Sequence, residues 1–156
     1  MIRVALTVNK VRHEAEVEPN LTLLEFLREA LYLTGAKESC GVGECGTCLV
    51  LVDGHPVNSC LMLVADANGR EVETIEGLAN EGEPNTVQAA FIETGAIQCG
   101  YCTPAMVLAA EALLRANPNP DPSQVREALA GVLCRCGSYP KVLDAVRTAA
   151  AKGVHQ

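Results

Sequence analysis

Eight cysteines, in two separate groups of four, are the side chains of this chain best suited to chemistry. The first group has the spacing C-x4-C-x2-C with a fourth cysteine downstream, and it consists of Cys40, Cys45, Cys48 and Cys60. This spacing is typical of a plant-type [2Fe–2S] cluster. Gly41, Gly43 and Gly46 lie between these cysteines, and glycine permits the positive φ angles and close backbone approach that wrapping a bulky cluster requires. The pattern predicts an iron–sulfur site, with zinc or disulfides as the alternatives.

The second group combines a C-x2-C pair with a C-x-C pair, and it consists of Cys99, Cys102, Cys134 and Cys136. Each pair directly precedes a predicted helix. The positive end of a helix dipole stabilises thiolates, and Arg135 adds a cation between the last two cysteines. Four thiolates at this spacing suit zinc as well as an iron–sulfur cluster. The residues alone therefore leave both metals open for the second site.

Composition and charge restrict what the 156-residue chain can be. A net charge of −7 argues against nucleic-acid binding, and an aromatic content of 3% predicts a thin, aliphatic core. The N-terminus lacks the features of a signal peptide, and no apolar stretch approaches the roughly 20 residues that span a bilayer. We therefore expect a cytoplasmic protein, in which clustered cysteines are metal ligands rather than disulfides. The isolated histidines are not expected to be ligands; they are His13, His55 and His155.

The N-terminal half has the pattern of a strand-rich domain. Its β-branched and alternating residues predict strands at 2–8, 11–17, 48–52, 56–59 and 71–75, with tight turns at Asn9–Lys10 and Asp53–Gly54. Thr22 and Glu25 form a capping box that predicts a helix from about 23 to 33. Gly35 is the expected C-terminal cap region of that helix.

The periodicity then changes to that of helices. Capping residues and prolines predict four helices, at about 85–93, 104–116, 121–130 and 140–151. Thr103 is the expected cap before Pro104, and the helix that follows is apolar nearly all round, which is typical of the buried centre of a bundle. We therefore predict a domain at 1–76, a linker at 77–84 and a helical domain at 85–156.

Four motifs, in this order, resemble the iron–sulfur subunit of the molybdenum hydroxylases, the family of xanthine dehydrogenase, aldehyde oxidoreductase and aerobic carbon monoxide dehydrogenase. They are Glu38–Cys48 (ESCGVGECGTC), Val57–Cys60 (VNSC), Gln98–Pro104 (QCGYCTP) and Leu133–Cys136 (LCRC). The resemblance covers roughly residues 2–150. Two departures leave the substrate branch open: Gly137-Ser138-Tyr139 stands where the family commonly has Thr-Gly-Tyr, and Ala105 stands where a glycine is common.

The resemblance implies an α+β fold, with an N-terminal plant-ferredoxin-like β-grasp domain followed by a C-terminal four-helix bundle domain. It also implies two [2Fe–2S] clusters. The first cysteine group would hold the cluster nearer a flavin, and the second group the cluster nearer a molybdenum–pterin cofactor. Gln98 matches the family position that lies against the pterin, and Cys136 matches the ligand whose sulfur approaches the pterin amino group.

The function implied is electron transfer within an oxidoreductase complex. A large molybdenum-cofactor subunit would hydroxylate the substrate, and a FAD subunit or a cytochrome would receive the electrons. This chain would carry the electrons between them and would contain no substrate site. Two alternatives from other classes are a free-standing two-cluster ferredoxin and a zinc-stabilised interaction module without redox activity.

Overall fold

A five-stranded mixed sheet forms the first half of the computed structural model, which describes residues 1–154. The strands are β1 (Ile2–Val8), β2 (Val11–Val17), β3 (Leu49–Val52), β4 (His55–Asn58) and β5 (Glu71–Glu73), in the order β2-β1-β5-β3-β4. The β1–β5 pair is parallel and the other pairs are antiparallel. Both predicted hairpins are confirmed. Their turn residues take positive φ angles, as the tight turns between twisted strands require.

The helix of the first half is shorter than predicted. As expected, Thr22 and Glu25 form a capping box, in which the Thr22 hydroxyl accepts from the Glu25 N–H and the Glu25 carboxylate accepts from the Thr22 N–H. Helix α1 (Leu23–Glu25) continues as a π-helical turn to Ala30 and ends there, because Tyr32 takes a φ of 57°. The prediction of a helix to about residue 33 was therefore wrong at its C-terminal end.

Gly35 does not cap this helix, contrary to the prediction. Its φ is not positive, and its N–H donates to the Glu76 carboxylate at 2.7 Å. A Cβ at Gly35 would overlap the side chain of Ile75. The glycine is therefore explained by the close approach of this loop to the segment after β5.

Four helices follow, and their predicted positions are confirmed to within two residues. They are α2 (Thr86–Glu93), α3 (Thr103–Ala116), α4 (Pro122–Leu129) and α5 (Tyr139–Lys152). Asn85 and Asp121 begin α2 and α4 with capping boxes. The start of α3 differs from the prediction: the residue before its first turn is Cys102 in helical conformation, and the Thr103 side chain caps nothing. Within residues 1–154, no helix is long and apolar enough to cross a membrane.

Strand β3 is shared by two hydrophobic cores. Val50 and Val52 face the core of the first half, whereas Leu49 and Leu51 face the core that surrounds α3. This alternation follows from the period of two in a strand, and it explains why all four residues of β3 are buried. Helix α3 is therefore packed directly against the sheet of the first half.

A polar network fixes the far end of α3 to the sheet. Arg115 donates to both carboxylate oxygens of Glu73 in β5, at 2.6 and 3.1 Å, and to Glu111 at 2.9 Å. Glu111 is only 2% exposed and also accepts from the side chain of Asn85 at 3.0 Å. These interactions raise the pKa of Arg115, chiefly through its hydrogen bonds to Glu73.

Replacing Arg115 should destabilise the protein far more than replacing a surface arginine. Arg115→Met leaves the Glu111 charge buried without its cation, which costs about 2–4 kcal/mol and lowers the unfolding temperature by about 5–10 °C. Arg12→Met is the matched control, because Arg12 pairs with Glu14 in the open, where the change is expected to stay within about 2 °C. Thermal unfolding followed by circular dichroism measures both. Equal shifts in the two variants would contradict the role given to the network.

Candidate functional site

The first cysteine group lies in the loop before β3 and at the end of β4. The backbone N–H groups of Val42 and Cys45 point at the Cys40 sulfur, at 3.5 and 3.4 Å. Gly41, Gly43 and Gly46 have φ angles of 65°, 79° and 69°, which the sequence analysis anticipated. The loop therefore presents N–H donors to sulfur, an arrangement that stabilises negative charge.

Neighbouring groups shift the pKa values of two thiols in this group in opposite directions. Partial burial opposes ionisation of Cys45, but hydrogen bonds from Thr47 and Cys40 outweigh it and lower the thiol pKa to about 6. The Thr47 hydroxyl lies 3.2 Å from the Cys45 sulfur. Burial raises the pKa of the Cys48 thiol to about 11, with a further contribution from Cys60. The hydrogen bonds from Thr47 thus favour a thiolate at Cys45.

The second group lies at the starts of α3 and α5. As in the first group, a backbone N–H and a hydroxyl group lie beside its sulfurs. The Cys99 sulfur accepts from the N–H of Tyr101 at 3.5 Å, and the Ser138 hydroxyl lies 3.1 Å from the Cys134 sulfur. Burial opposes ionisation of Cys134, but Ser138 outweighs it and lowers the thiol pKa to about 7. Burial raises the pKa of Cys102 to about 12, and the neighbouring Cys134 adds to this.

Within each group the thiols influence one another as one connected set. The pKa of Cys48 responds to Cys45 and Cys60, that of Cys102 to Cys99 and Cys134, and that of Cys136 to Cys99 and Cys134. A [2Fe–2S] cluster takes two thiolates on each of its two irons, so four neighbouring thiols are the donor set that it requires. The residues present in each group therefore fit one binuclear cluster.

The two groups meet at a shared cavity of about 400 Å³. Cys45 from the first group lines it together with Cys99, Cys102 and Cys134 from the second, and Arg135 contributes to the same wall. Two hydrogen bonds join the halves around this cavity. The N–H of Leu133 donates to the Cys45 carbonyl at 2.9 Å, and the Tyr101 hydroxyl donates to the Glu38 carbonyl at 2.6 Å.

The residues expected to face a pterin lie at the surface of the second group. Gln98 is exposed, and it precedes Cys99, which is itself exposed and interacts with exposed Cys136. Gln98 therefore adjoins an exposed cysteine that interacts with Cys136, and we call these three residues the open edge of the second group. Of the three histidines, His13 and His55 lie in β2 and β4, and His155 lies outside the described residues.

Three hydroxyl groups that the sequence patterns did not single out lie beside these sites. Besides Thr47 and Ser138, Tyr139 accepts from the Cys134 N–H at 2.8 Å and donates to the Val132 carbonyl at 3.2 Å. Each of the three lies two to five residues from a cysteine of its own loop. A hydroxyl residue so close to a ligand was the available signal, but only the folded loop shows which atom it contacts.

Comparison with known proteins finds the same two halves. A family model described as "2Fe-2S iron-sulfur cluster binding domain" matches residues 6–79, and one described as "[2Fe-2S] binding domain" matches residues 74–147. The nicotinate dehydrogenase small FeS subunit of Eubacterium barkeri is 46% identical over 148 residues, which are 95% of this chain and 94% of the relative.

Two solved structures share the fold closely. Quinoline 2-oxidoreductase from Pseudomonas putida 86 matches with a TM-score of 0.92 and 40% identity over 99% of this chain and 98% of that one. The aldehyde oxidoreductase from Desulfovibrio desulfuricans matches with a TM-score of 0.93 and 38% identity over 97% of this chain. The match covers only 17% of that protein's polypeptide, so this chain is similar to one part of that longer polypeptide.

Tyr139→Phe should weaken the second group, because it removes the partner of both the Cys134 N–H and the Val132 carbonyl. The expected loss is about 1–2 kcal/mol, or about 2–6 °C in unfolding temperature. Tyr32→Phe is the matched control, because Tyr32 is 81% exposed and the change there should be negligible. Thermal unfolding of the two variants measures the difference. An unchanged unfolding temperature in Tyr139→Phe would contradict the role of its hydroxyl.

Proposed function

This chain belongs to the iron–sulfur subunits of the molybdenum hydroxylase family, and from that premise we propose how its two cysteine groups carry electrons. It is an electron-transfer subunit of an oxidoreductase complex. In our proposal, one [2Fe–2S] cluster is held by Cys40, Cys45, Cys48 and Cys60, and the other by Cys99, Cys102, Cys134 and Cys136. The observation that carries the proposal is that each group of four cysteines has polar groups beside its sulfurs: backbone N–H groups point at Cys40 and Cys99, and hydroxyl groups lie beside Cys45 and Cys134. Each bound cluster would supply one-electron redox chemistry.

The surrounding residues would tune these sites by supporting negative charge on sulfur. Thr47 and Ser138 would donate hydrogen bonds from their hydroxyl groups to metal-bound thiolates, and the N–H groups of Val42 and Tyr101 would do the same from the backbone. Hydrogen bonds to sulfur stabilise the reduced, more negative state and raise the potential. Arg135 beside the shared cavity adds a positive charge to the same effect.

We assign the direction of electron transfer from the open edge of the second group. The open edge with Gln98 and Cys136 would face the molybdenum–pterin cofactor of a large partner subunit. Electrons would enter there, pass to the first group across the shared cavity, and leave to FAD or another acceptor in a further partner. The hydrogen bond from Leu133, which precedes Cys134, to the Cys45 carbonyl supports a direct connection between the groups.

Our proposal divides the chain into two domains and a linker. We propose a plant-ferredoxin-like β-grasp domain at 1–76, a linker at 77–84 and a four-helix bundle domain at 85–156. The meeting of the two family models at residues 74–79 and the four helices α2 to α5 support this division. Just before the linker, the end of the first domain is fixed, because Thr74 exchanges hydrogen bonds with Asn9 and Glu76 accepts from Gly35.

The substrate would be chosen elsewhere in the complex. Relatives of this chain serve a nicotinate dehydrogenase and a quinoline 2-oxidoreductase, so closely similar subunits accompany different substrates. The aldehyde oxidoreductase, in which this fold is 17% of one polypeptide, supports a large molybdenum subunit as the partner. We place the complex in the cytoplasm.

Removing one site at a time tests the order of transfer. Cys48 and Cys102 are both buried, one in each group, so Cys48→Ser and Cys102→Ser are a matched pair. Each variant of the purified complex should lose about half of its iron and labile sulfide. Substrate should still reduce the remaining cluster in Cys48→Ser. In Cys102→Ser, only a chemical reductant such as dithionite should reduce the remaining cluster.

The opposite pattern, with substrate reducing the cluster of Cys102→Ser but not that of Cys48→Ser, would contradict the proposed order. Loss of all iron from either variant would contradict two independent sites. Iron, labile sulfide and visible absorption during substrate addition are sufficient readouts.

The hydroxyl groups give a second, quantitative test. Thr47→Val should lower the potential of the first site, and Ser138→Ala that of the second, because each loses one hydrogen bond to sulfur. A hydrogen bond worth about 0.5–1.5 kcal/mol corresponds to roughly 20–65 mV for a one-electron couple. Redox titration of the complex, monitored by EPR, measures both potentials. Each variant is the control for the other, and a shift at the unaltered site would speak against local tuning.

A further inference from the structure

Gly46 lies where the loop of the first cysteine group touches the turn that leads to the second. It is buried between Cys45 and Thr47. A Cβ built on Gly46 would overlap the carbonyl oxygen of Gly131, and it would lie 2.9 Å from the Gly131 carbonyl carbon and 3.1 Å from the Val132 Cα. All three are backbone atoms, so they cannot turn aside as the end of a flexible side chain can.

This backbone contact lies beside a hydrogen bond that connects the two groups. Next to Gly46, the Cys45 carbonyl accepts the Leu133 N–H at 2.9 Å, and Leu133 is followed directly by Cys134. One hydrogen bond and one peptide unit therefore separate a residue of each group. Any displacement of the Gly46 loop from the turn would lengthen this connection.

Gly46 has a steric requirement in addition to its positive φ. Gly41 in the same loop has nearly the same φ, 65° against 69°, yet a Cβ there would have nothing within 4 Å. Gly131, on the opposite side of the contact, would also have nothing within 4 Å of an added Cβ. Room is therefore required at Gly46 for a neighbour in the other half of the molecule.

We infer that Gly46 is a positioning residue, whose missing side chain lets the two halves meet backbone to backbone and so sets the separation of the two metal sites. This inference rests on the proposed function, since the separation matters only if both groups hold redox centres. A methyl group at Gly46 would force the backbones about 1.5 Å apart to reach ordinary van der Waals distances. The substitution would leave all eight cysteines of the sequence unchanged.

Gly46→Ala and Gly41→Ala, compared in the purified complex, test the inference. Both variants impose the same backbone strain on one loop, but only the first adds an atom against Gly131. The readouts are iron content and the EPR splitting that arises from coupling between the two reduced clusters, because dipolar coupling falls with the cube of their separation. We expect full iron in both variants, a smaller splitting in Gly46→Ala and an unchanged splitting in Gly41→Ala. Equal splittings in the two variants would overturn the inference.

A second pair of variants covers the case in which Gly46→Ala does not fold. Leu133→Pro removes the N–H that donates to the Cys45 carbonyl, whereas Leu133→Ala keeps it. The splitting should decrease in Leu133→Pro and stay normal in Leu133→Ala. A normal splitting in Leu133→Pro would overturn the inference, and so would loss of iron from the first group alone in both Gly46→Ala and Leu133→Pro, since the contact would then serve stability rather than separation. A wild-type complex without two clusters would instead overturn the proposed function.

Discussion

Four sulfur atoms, drawn from separate stretches of chain, must come together around each site although their negative charges repel one another. For the first group, the β3–β4 hairpin returns the chain so that Cys60 meets Cys48, and the Ser59 hydroxyl donates to the Cys48 carbonyl at 2.6 Å to fix the return. For the second group, the turn between the end of α4 and the start of α5 brings Cys134 and Cys136 back to the start of α3. The β3–β4 hairpin and the buried helix α3 therefore position the cysteines.

Four thiolates at each site concentrate negative charge, and neighbouring hydrogen-bond donors and a cation offset it. The chain carries a net charge of −7 before any cluster is bound, and two four-thiolate clusters would bring it to about −11. Backbone N–H groups aim at Cys40 and Cys99, hydroxyl groups lie beside Cys45 and Cys134, and Arg135 lines the cavity between the groups. The aliphatic core is divided into two parts that share β3. Because the free energy of metal binding contributes to folding, binding of one cluster in each half would add to the stability of both halves.

What the sequence predicted well is local in origin. The cysteine spacing, the tight turns, the capping box at Thr22 and the helix starts near residues 85 and 121 depend on residues within a few positions of one another, and these turns, this cap and these helix starts are present. What it did not predict depends on distant neighbours. Glu73 and Arg115 are 42 residues apart, Gly46 is explained by Gly131, and Gly35 is explained by Ile75 rather than by the helix before it. Pattern reasoning has no access to such pairs.

Each of the two cysteine groups is proposed to hold its own [2Fe–2S] cluster. EPR of the fully reduced complex, combined with iron and labile sulfide analysis, is the decisive measurement for this proposal. Two distinct [2Fe–2S] signals should appear, integrating to about two spins for about four irons and four sulfides per chain. A single signal after full iron loading, or a colourless protein that contains zinc, would contradict it.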